Sequence, residues 1–255
     1  MKKTAWGGLL LLAVLLASVW MSRANSTKIM TFATVNWEPY AADNLPGNGF
    51  TSEILAEVCK KAGYEAKFVF LPWKRAMLAV EQGNYDALYS AYYSDERAET
   101  YAITDPYVKS PLVLCARAKS VIKYDGTVAS LKPYKVGVVS GYVNTKAIDS
   151  ADYLMKDESV NDLENLIKLI QGRVDVIVID RFVATQYLKT SPAVQAGLDD
   201  VVFLSPPLEE KPVFAMFSKK NPDFKEKVAA FNKGLKAVEQ DGTMDAILKK
   251  YGFNF

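Results

Sequence analysis

The chain has 255 residues, half of them hydrophobic and 12% aromatic, and no low-complexity stretch, so it is an ordinary globular protein with material for one large or two modest cores. Its formal net charge of +2 sets 31 basic against 29 acidic residues, which gives a nucleic-acid partner no electrostatic footing. There is no histidine, which excludes Ser-His-Asp and Cys-His nucleophile activation and any imidazole metal site.

Lys2 and Lys3 precede an apolar run from Gly7 to Met21, and Ser22-Arg23-Ala24 follows with small residues where a signal peptidase reads. The run is short for a membrane span, so a secretory signal cleaved after Ala24, with a periplasmic address, is expected over a retained anchor. No cysteine directly follows it, which argues against a lipid-anchored form. Removing residues 1–24 takes away Lys2, Lys3 and Arg23, leaving 28 basic residues against 29 acidic ones and a net charge of −1.

Ile29 to Val35 reads as a strand, followed by a turn, Asn36-Trp37-Glu38-Pro39-Tyr40, that displays aromatics. A helix from Gly49 to about Lys61 carries Phe50, Ile54, Leu55, Val58 and Ala62 at helical spacing. Glu65 to Leu71 alternates as a strand, and Pro72-Trp73 starts a helix capped by Gly83. Asp86 to Tyr89 is a short buried strand. Ser94 is the N-cap of the next helix, whose first turn holds Arg97, before a second turn at Asp105-Pro106. A helix N-terminus and a guanidinium together suit a carboxylate; the competing reading is a solvated charge paired with Asp95, Glu96 or Glu99.

Ser110 to Ala118 is a strand long enough to leave one unit and enter another. Lys135 to Val139 starts afresh and ends in Ser140-Gly141-Tyr142-Val143-Asn144 before a short helix. Val160 to Gln171 reads as an amphipathic helix with Val160, Leu163, Leu166, Ile167 and Ile170 inward. A buried strand ending at Asp180 comes next, then a helix from Arg181 to Lys189 that Asp180 would cap. Gln82-Gly83-Asn84-Tyr85-Asp86 and Gln171-Gly172-Arg173-Val174-Asp175 repeat one unit, a capping glycine feeding a parallel strand, which argues for two α/β lobes rather than one continuous sheet. Val201 to Leu204, Val213 to Phe217 and helices over 222–241 and 243–251 complete the chain. Cys59 and Cys115, the only cysteines, lack framework spacing and read as buried free thiols.

The run Ser-Asp-Glu-Arg, seven residues, Asp-Pro-Tyr (94–97 and 105–107) resembles the T-x-x-R … F-S-x-P-Y stretch of the bacterial extracellular solute-binding proteins, family 3, the polar amino-acid type; the likeness extends from about Ile29 to Phe253. The resemblance implies an α/β fold of the type 2 periplasmic binding protein: two lobes, a two-strand hinge and a ligand cleft between them. Lobe 1 would take residues 25–111 and 212–255, lobe 2 residues 112–211, with crossings near 110–118 and 205–213. Arg97 would hold a ligand carboxylate and Asp180 an ammonium. Trp37 and Trp73 would flank the ligand, although Trp37 could equally pack under its own loop. Ser90, Tyr92 and the backbone donors of Gly141, Tyr142 and Val143 would complete the site. The chain departs from the family's G-F-D-x-D with Thr51 and Glu53, and from its hydroxyl-bearing turn with Tyr142 and Val143. Tyr89, Tyr92 and Tyr93 stand where many relatives have small or hydroxyl residues, which leaves open a cationic or aromatic solute held by cation–π contacts.

The expected function is capture of a small polar solute, an amino acid or related amine or carboxylate, for an inner-membrane ABC permease. The protein is expected to act as a monomer, with no cofactor, no metal and no nucleic acid. Two alternatives are a periplasmic cyclohexadienyl or arogenate dehydratase, drafting Glu38 or Glu53 as general acid, and a solute sensor acting in trans on a receptor. Arg75 reads as a surface charge or a further anion contact.

Overall fold

A computed structural model describes residues 28–194 and 196–253; the expected export signal over 1–24 lies outside them. The first half of the fold begins with β1 (Lys28–Thr34), α1 (Phe50–Lys61), β2 (Tyr64–Phe70), α2 (Trp73–Glu81) and β3 (Ala87–Tyr92). β1 lies between β2 and β3 and is parallel to both. α1 buries Phe50, Ile54, Leu55, Val58 and Cys59, the face its spacing dictates. β3 runs to Tyr92, three residues past the end expected from sequence, because every residue in it is buried between neighbouring strands.

The chain then forms α3 (Asp95–Thr100), β4 (Tyr101–Ile103) and the ten-residue β5 (Val108–Arg117). The second half holds β6 (Lys135–Val139), α4 (Lys146–Asp149), β7 (Met155–Ser159), α5 (Asp162–Ile170), β8 (Val176–Asp180), α6 (Arg181–Thr190) and β9 (Val201–Phe203). β10 (Glu209–Ser218), α7 (Phe224–Gln240) and α8 (Thr243–Lys250) return to the first half. β7 has no counterpart in the sequence reading. Its residues, Met-Lys-Asp-Glu-Ser, lack an apolar alternation, and it is an edge strand pairing only with β6, where polar residues are tolerated.

The strand order is β2-β1-β3-β10-β5-β8-β6-β7, with β4 on β10 and β9 on β5. Each half therefore keeps its own parallel unit, as the repeat implies, yet the ladder is continuous from one to the other. β5 and β10 make it so by pairing antiparallel from Val108↔Val213 to Leu112↔Glu209, which satisfies backbone groups that two separate crossings would leave open.

The repeated unit recurs in atomic detail. Gly83 and Gly172 adopt φ of 82° and 72°, the left-handed turn that ends a helix and turns the chain into a strand. Asp86 donates its amide to Thr31 O and accepts from the Thr31 amide; Asp175 does the same with Lys135, and the two carboxylate contacts are each 2.8 Å. Each aspartate thus sets the register between two parallel strands of its own half. Both cysteines are buried and free, with burial pushing each thiol up to about 12.

Candidate functional site

Parallel strands end together, and here both halves turn their carboxyl ends toward each other, where open α/β sheets place ligand groups. Trp37 follows β1, Trp73 follows β2, Arg97 follows β3, Gly141 follows β6 and Asp180 ends β8. The convergence encloses a cavity of about 20 Å³ lined by Val35, Trp37, Trp73, Ser90, Ala91, Tyr92, Arg97, Tyr142 and Val143. In this closed arrangement that is room for about one water. Of the nine positions expected from the sequence, seven line it; Gly141 bounds it through its carbonyl and Asp180 lies behind Tyr92.

Ser94 caps α3 by accepting from the Arg97 amide at 3.2 Å, which fixes the root of the arginine. Its guanidinium is buried, donates to Tyr92 O at 2.6 Å and Gly141 O at 3.0 Å, and lies 5.2 Å from the centre of the Trp73 ring. Burial lowers Arg97 to about 10, partly offset by Tyr101 and Tyr142, so it keeps its charge at neutral pH. Trp73 Nε1 donates to the same Gly141 carbonyl at 3.0 Å. This reverses part of the expectation for the Gly141 turn. A carbonyl points inward, while the Tyr142 amide is taken by Val139 O at 3.1 Å. Gly141 has φ 78°, a left-handed conformation that calls for glycine.

Trp37 does pack with its own loop, stacking on Tyr40 at 4.1 Å, but the same ring walls the cavity edge-on to Tyr92. Ser90 lines the cavity with its hydroxyl 3.0 Å from that of Thr51, and Thr51 in turn donates to Tyr40 O at 2.7 Å. Thr51, the departure from the family pattern, therefore braces the site from behind. Asp180 plays the capping part, the competing reading of the sequence. Its Oδ1 accepts from the Val183 amide at 2.9 Å, capping α6, while Oδ2 accepts from Tyr40 at 2.9 Å and from Ser110 at 2.5 Å. Ser110 also bonds the Tyr92 hydroxyl. Burial raises Asp180 to about 6, against the pull of these donors.

Sequence reasoning missed Tyr40, Ser110 and above all Asp162. α5 turns Asp162, Asn165, Leu166 and Leu169 inward, whereas Val160, expected on the buried face, is 70% exposed. The clue was present: Asp162, Asn165, Leu166 and Leu169 also follow an i, i+3, i+4, i+7 pattern. Asp162 is 3% exposed and its Oδ2 has no hydrogen-bond partner. Burial pushes it up to about 7; Tyr142 and Trp37 stand near enough to offset part of this, while Asp180 adds to it.

Glu38, Glu53 and Arg75 lie elsewhere. Glu38 accepts from Asn44 at 2.8 Å, Glu53 is tied to Lys250 at 2.7 Å and to Tyr251, and Arg75 is exposed. Among the described residues, no helix is long and apolar enough to cross a membrane and no cluster of acidic or thiol groups could hold a metal.

A family model for bacterial extracellular solute-binding proteins, family 3, matches residues 30–254. The chain belongs to that family. Among its family 3 relatives, ABC transporter arginine-binding protein 1 of Escherichia coli (strain K12) is 26% identical over 244 residues, covering 93% of this chain and 96% of the relative. The lysine/arginine/ornithine-binding periplasmic protein of the same organism is 27% identical over 253 residues, covering 94% and 92%. The crystal structure of the substrate-binding protein of an amino acid ABC transporter matches with a TM-score of 0.72 at 21% identity, over 87% of this chain and 98% of that one. The fold is the α/β type 2 periplasmic-binding-protein fold, and the family is one of solute-binding proteins.

Proposed function

We propose that this family 3 protein captures an α-amino acid in the periplasm, as a monomer, and presents it to an inner-membrane ABC permease. The observation that carries the reading is the placement of Arg97 and Asp180. A buried guanidinium from one half lines an aromatic-walled cavity, and a buried carboxylate from the other stands behind its wall, joined to Tyr92 through Ser110, a charge pattern complementary to a zwitterion. Bound, the ligand carboxylate would take the Arg97 donors now given to Gly141 O, and its ammonium would take the Asp180 Oδ2 now shared by Tyr40 and Ser110.

Such a ligand touches both halves, so it favours the closed arrangement over the open one by its contacts to the second half. The lobes that move are 25–111 with 212–255 against 112–211, and the motion turns on the paired stretches of β5 and β10. The names of the relatives support the solute class, since those quoted above bind arginine, lysine or ornithine. A dehydratase is less well supported, because neither Glu38 nor Glu53 lines the cavity. Isothermal titration of the mature protein with the twenty standard amino acids tests the reading. At least one should bind with a micromolar or lower Kd; if none does, the amino-acid reading is wrong.

A further inference from the structure

Asp162 is a buried acid with no charged partner: Tyr142 and Trp37 stand toward it, and its Oδ2 has no hydrogen bond. As the first residue of α5 it could be serving the helix N-terminus, but that end is already satisfied without it. The Asn161 side chain accepts from the Glu164 amide at 2.8 Å, and Glu164 Oε2 accepts from the Val160 amide at 2.7 Å. Nor is it half of an ion pair. Among the described residues neither Asp162 nor Asp180 has a basic partner, and the buried Lys211, beside Tyr92, is committed elsewhere. It donates to Asn144 O at 2.7 Å, stands 3.5 Å from Glu209 and lies 5.3 Å from the Tyr92 ring centre.

Asp162 nevertheless stands behind the cleft wall, with Tyr142 and Trp37, which line the cavity, turned toward it. Its charge acts on Tyr92, Tyr142 and Tyr187, and two of these rings line the cavity. The Trp37 indole N–H is likewise buried and is turned toward Asp162. Burying a carboxylate costs several kcal/mol unless a proton or a cation accompanies it.

The charges of the site can then be set against those of a ligand. Arg97 and Asp180 are complementary to the carboxylate and ammonium that every α-amino acid carries. Asp162 is left over, so a neutral amino acid closes the cleft on an uncompensated acid. A second cation cancels it.

Building on the amino-acid reading above, we propose that Asp162 receives the positively charged side chain of a basic amino acid and so selects arginine- or lysine-like solutes over neutral ones. The aliphatic stem of such a side chain would lie against Trp37 and Tyr142, whose ring faces also favour a cation. Tyr142 now holds its hydroxyl toward Asp162, and it is the group that would give way.

The test compares charged solutes with neutral ones of the same shape: L-arginine with L-citrulline, and L-lysine with L-norleucine, titrated calorimetrically into the mature protein at pH 7.5. The wild-type protein should prefer the charged member of each pair by tenfold or more. In Asp162→Asn, with folding checked by circular dichroism, those ratios should fall toward one. In Asp180→Asn all four solutes should weaken by similar factors, since that residue meets the ammonium they share. Equal wild-type affinity within each pair, or a preference that survives Asp162→Asn, overturns the proposal while leaving amino-acid binding intact. The wild-type comparison stands by itself if the variant does not fold. Binding of no amino acid at all would instead overturn the underlying reading, and this proposal with it.

Discussion

Arg97 donates to the carbonyl of Gly141 across the cleft at 3.0 Å, so the guanidinium expected to hold a ligand anion is occupied by an oxygen of the opposite half. Arg97→Lys should weaken amino-acid binding by about 2 kcal/mol or more, because a point ammonium cannot reproduce a planar fork that reaches Tyr92 O and a carboxylate together. Titration calorimetry reads this directly. An unchanged affinity would show that the ligand anion binds elsewhere.

The buried acids make a prediction about pH. Burial raises Asp162 to about 7 and Asp180 to about 6, so each binds its proton more tightly in the folded chain than in the unfolded one. Their contribution to stability is therefore complete below about pH 4 and is lost as pH rises toward 7. The other groups facing Asp162, namely Tyr92, Tyr142 and Tyr187, are held above the ordinary tyrosine range by burial and stay neutral throughout. Asp162→Asn should consequently be more stable than the wild type at pH 8, by roughly 1–3 kcal/mol, and nearly equal to it at pH 4. Thermal denaturation of both proteins without ligand across pH 4–8 measures the difference. A gap that does not grow with pH would contradict the assignment.

Asp86 and Asp175 occupy equivalent places in the two halves but should differ in weight. Asp86 is 9% exposed, bonds the Thr31 amide and hydroxyl at 2.8 and 2.9 Å, and pairs with Lys227 at 2.5 Å. Asp175 has a side chain 42% exposed, with Lys135 N as its close partner. Asp86→Ala should cost about 3–5 kcal/mol and Asp175→Ala about 1 kcal/mol in urea denaturation.

Gly234 on α7 faces α1 so closely that a Cβ would stand 2.2 Å from Val58 O. Alanine would gain about 1 kcal/mol of helix propensity. Against that, forcing two helix backbones apart costs about 1–3 kcal/mol, and a contact with backbone rather than a flexible side chain puts the cost at the upper end. Gly234→Ala should therefore lower the melting temperature by several degrees. Ligand affinity should hold, because α7 lies far from the cleft in the layering of the fold. Equal or higher thermal stability would show that the helices can separate freely.

What was legible in the sequence was local. Ser94 and Asp180 announce helix starts by residue type, Gly83 and Gly172 announce helix ends, and the α1 face follows from spacing alone. Arg97 and Asp180 were singled out through the family resemblance, each standing at a junction of strand and helix. The face of α5 was misread because apolar residues were assumed to point inward. The buried face carries Asp162 and Asn165 instead, and Val160 lies in solvent. Tyr40 and Ser110 lie 140 and 70 residues from the Asp180 carboxylate they bond, a relation that only the closed topology creates. β7 escaped because an edge strand is defined by its neighbour's unpaired amides and carries little pattern of its own.

The antiparallel rungs between Val108–Leu112 and Glu209–Val213 join the two parallel units without a flexible linker. The proposed opening is thus a twisting of a spring, spread over several rungs, in which no hydrogen bond of the joint has to break. Amides in those rungs should keep the same protection from deuterium exchange whether solute is present or absent. Of the bonds that the proposed opening would break, which include that from Tyr40 to Asp180, those from Trp73 and Arg97 converge on one peptide oxygen, that of Gly141. Losing that oxygen would release both donors at once, so these two bonds should form and break together.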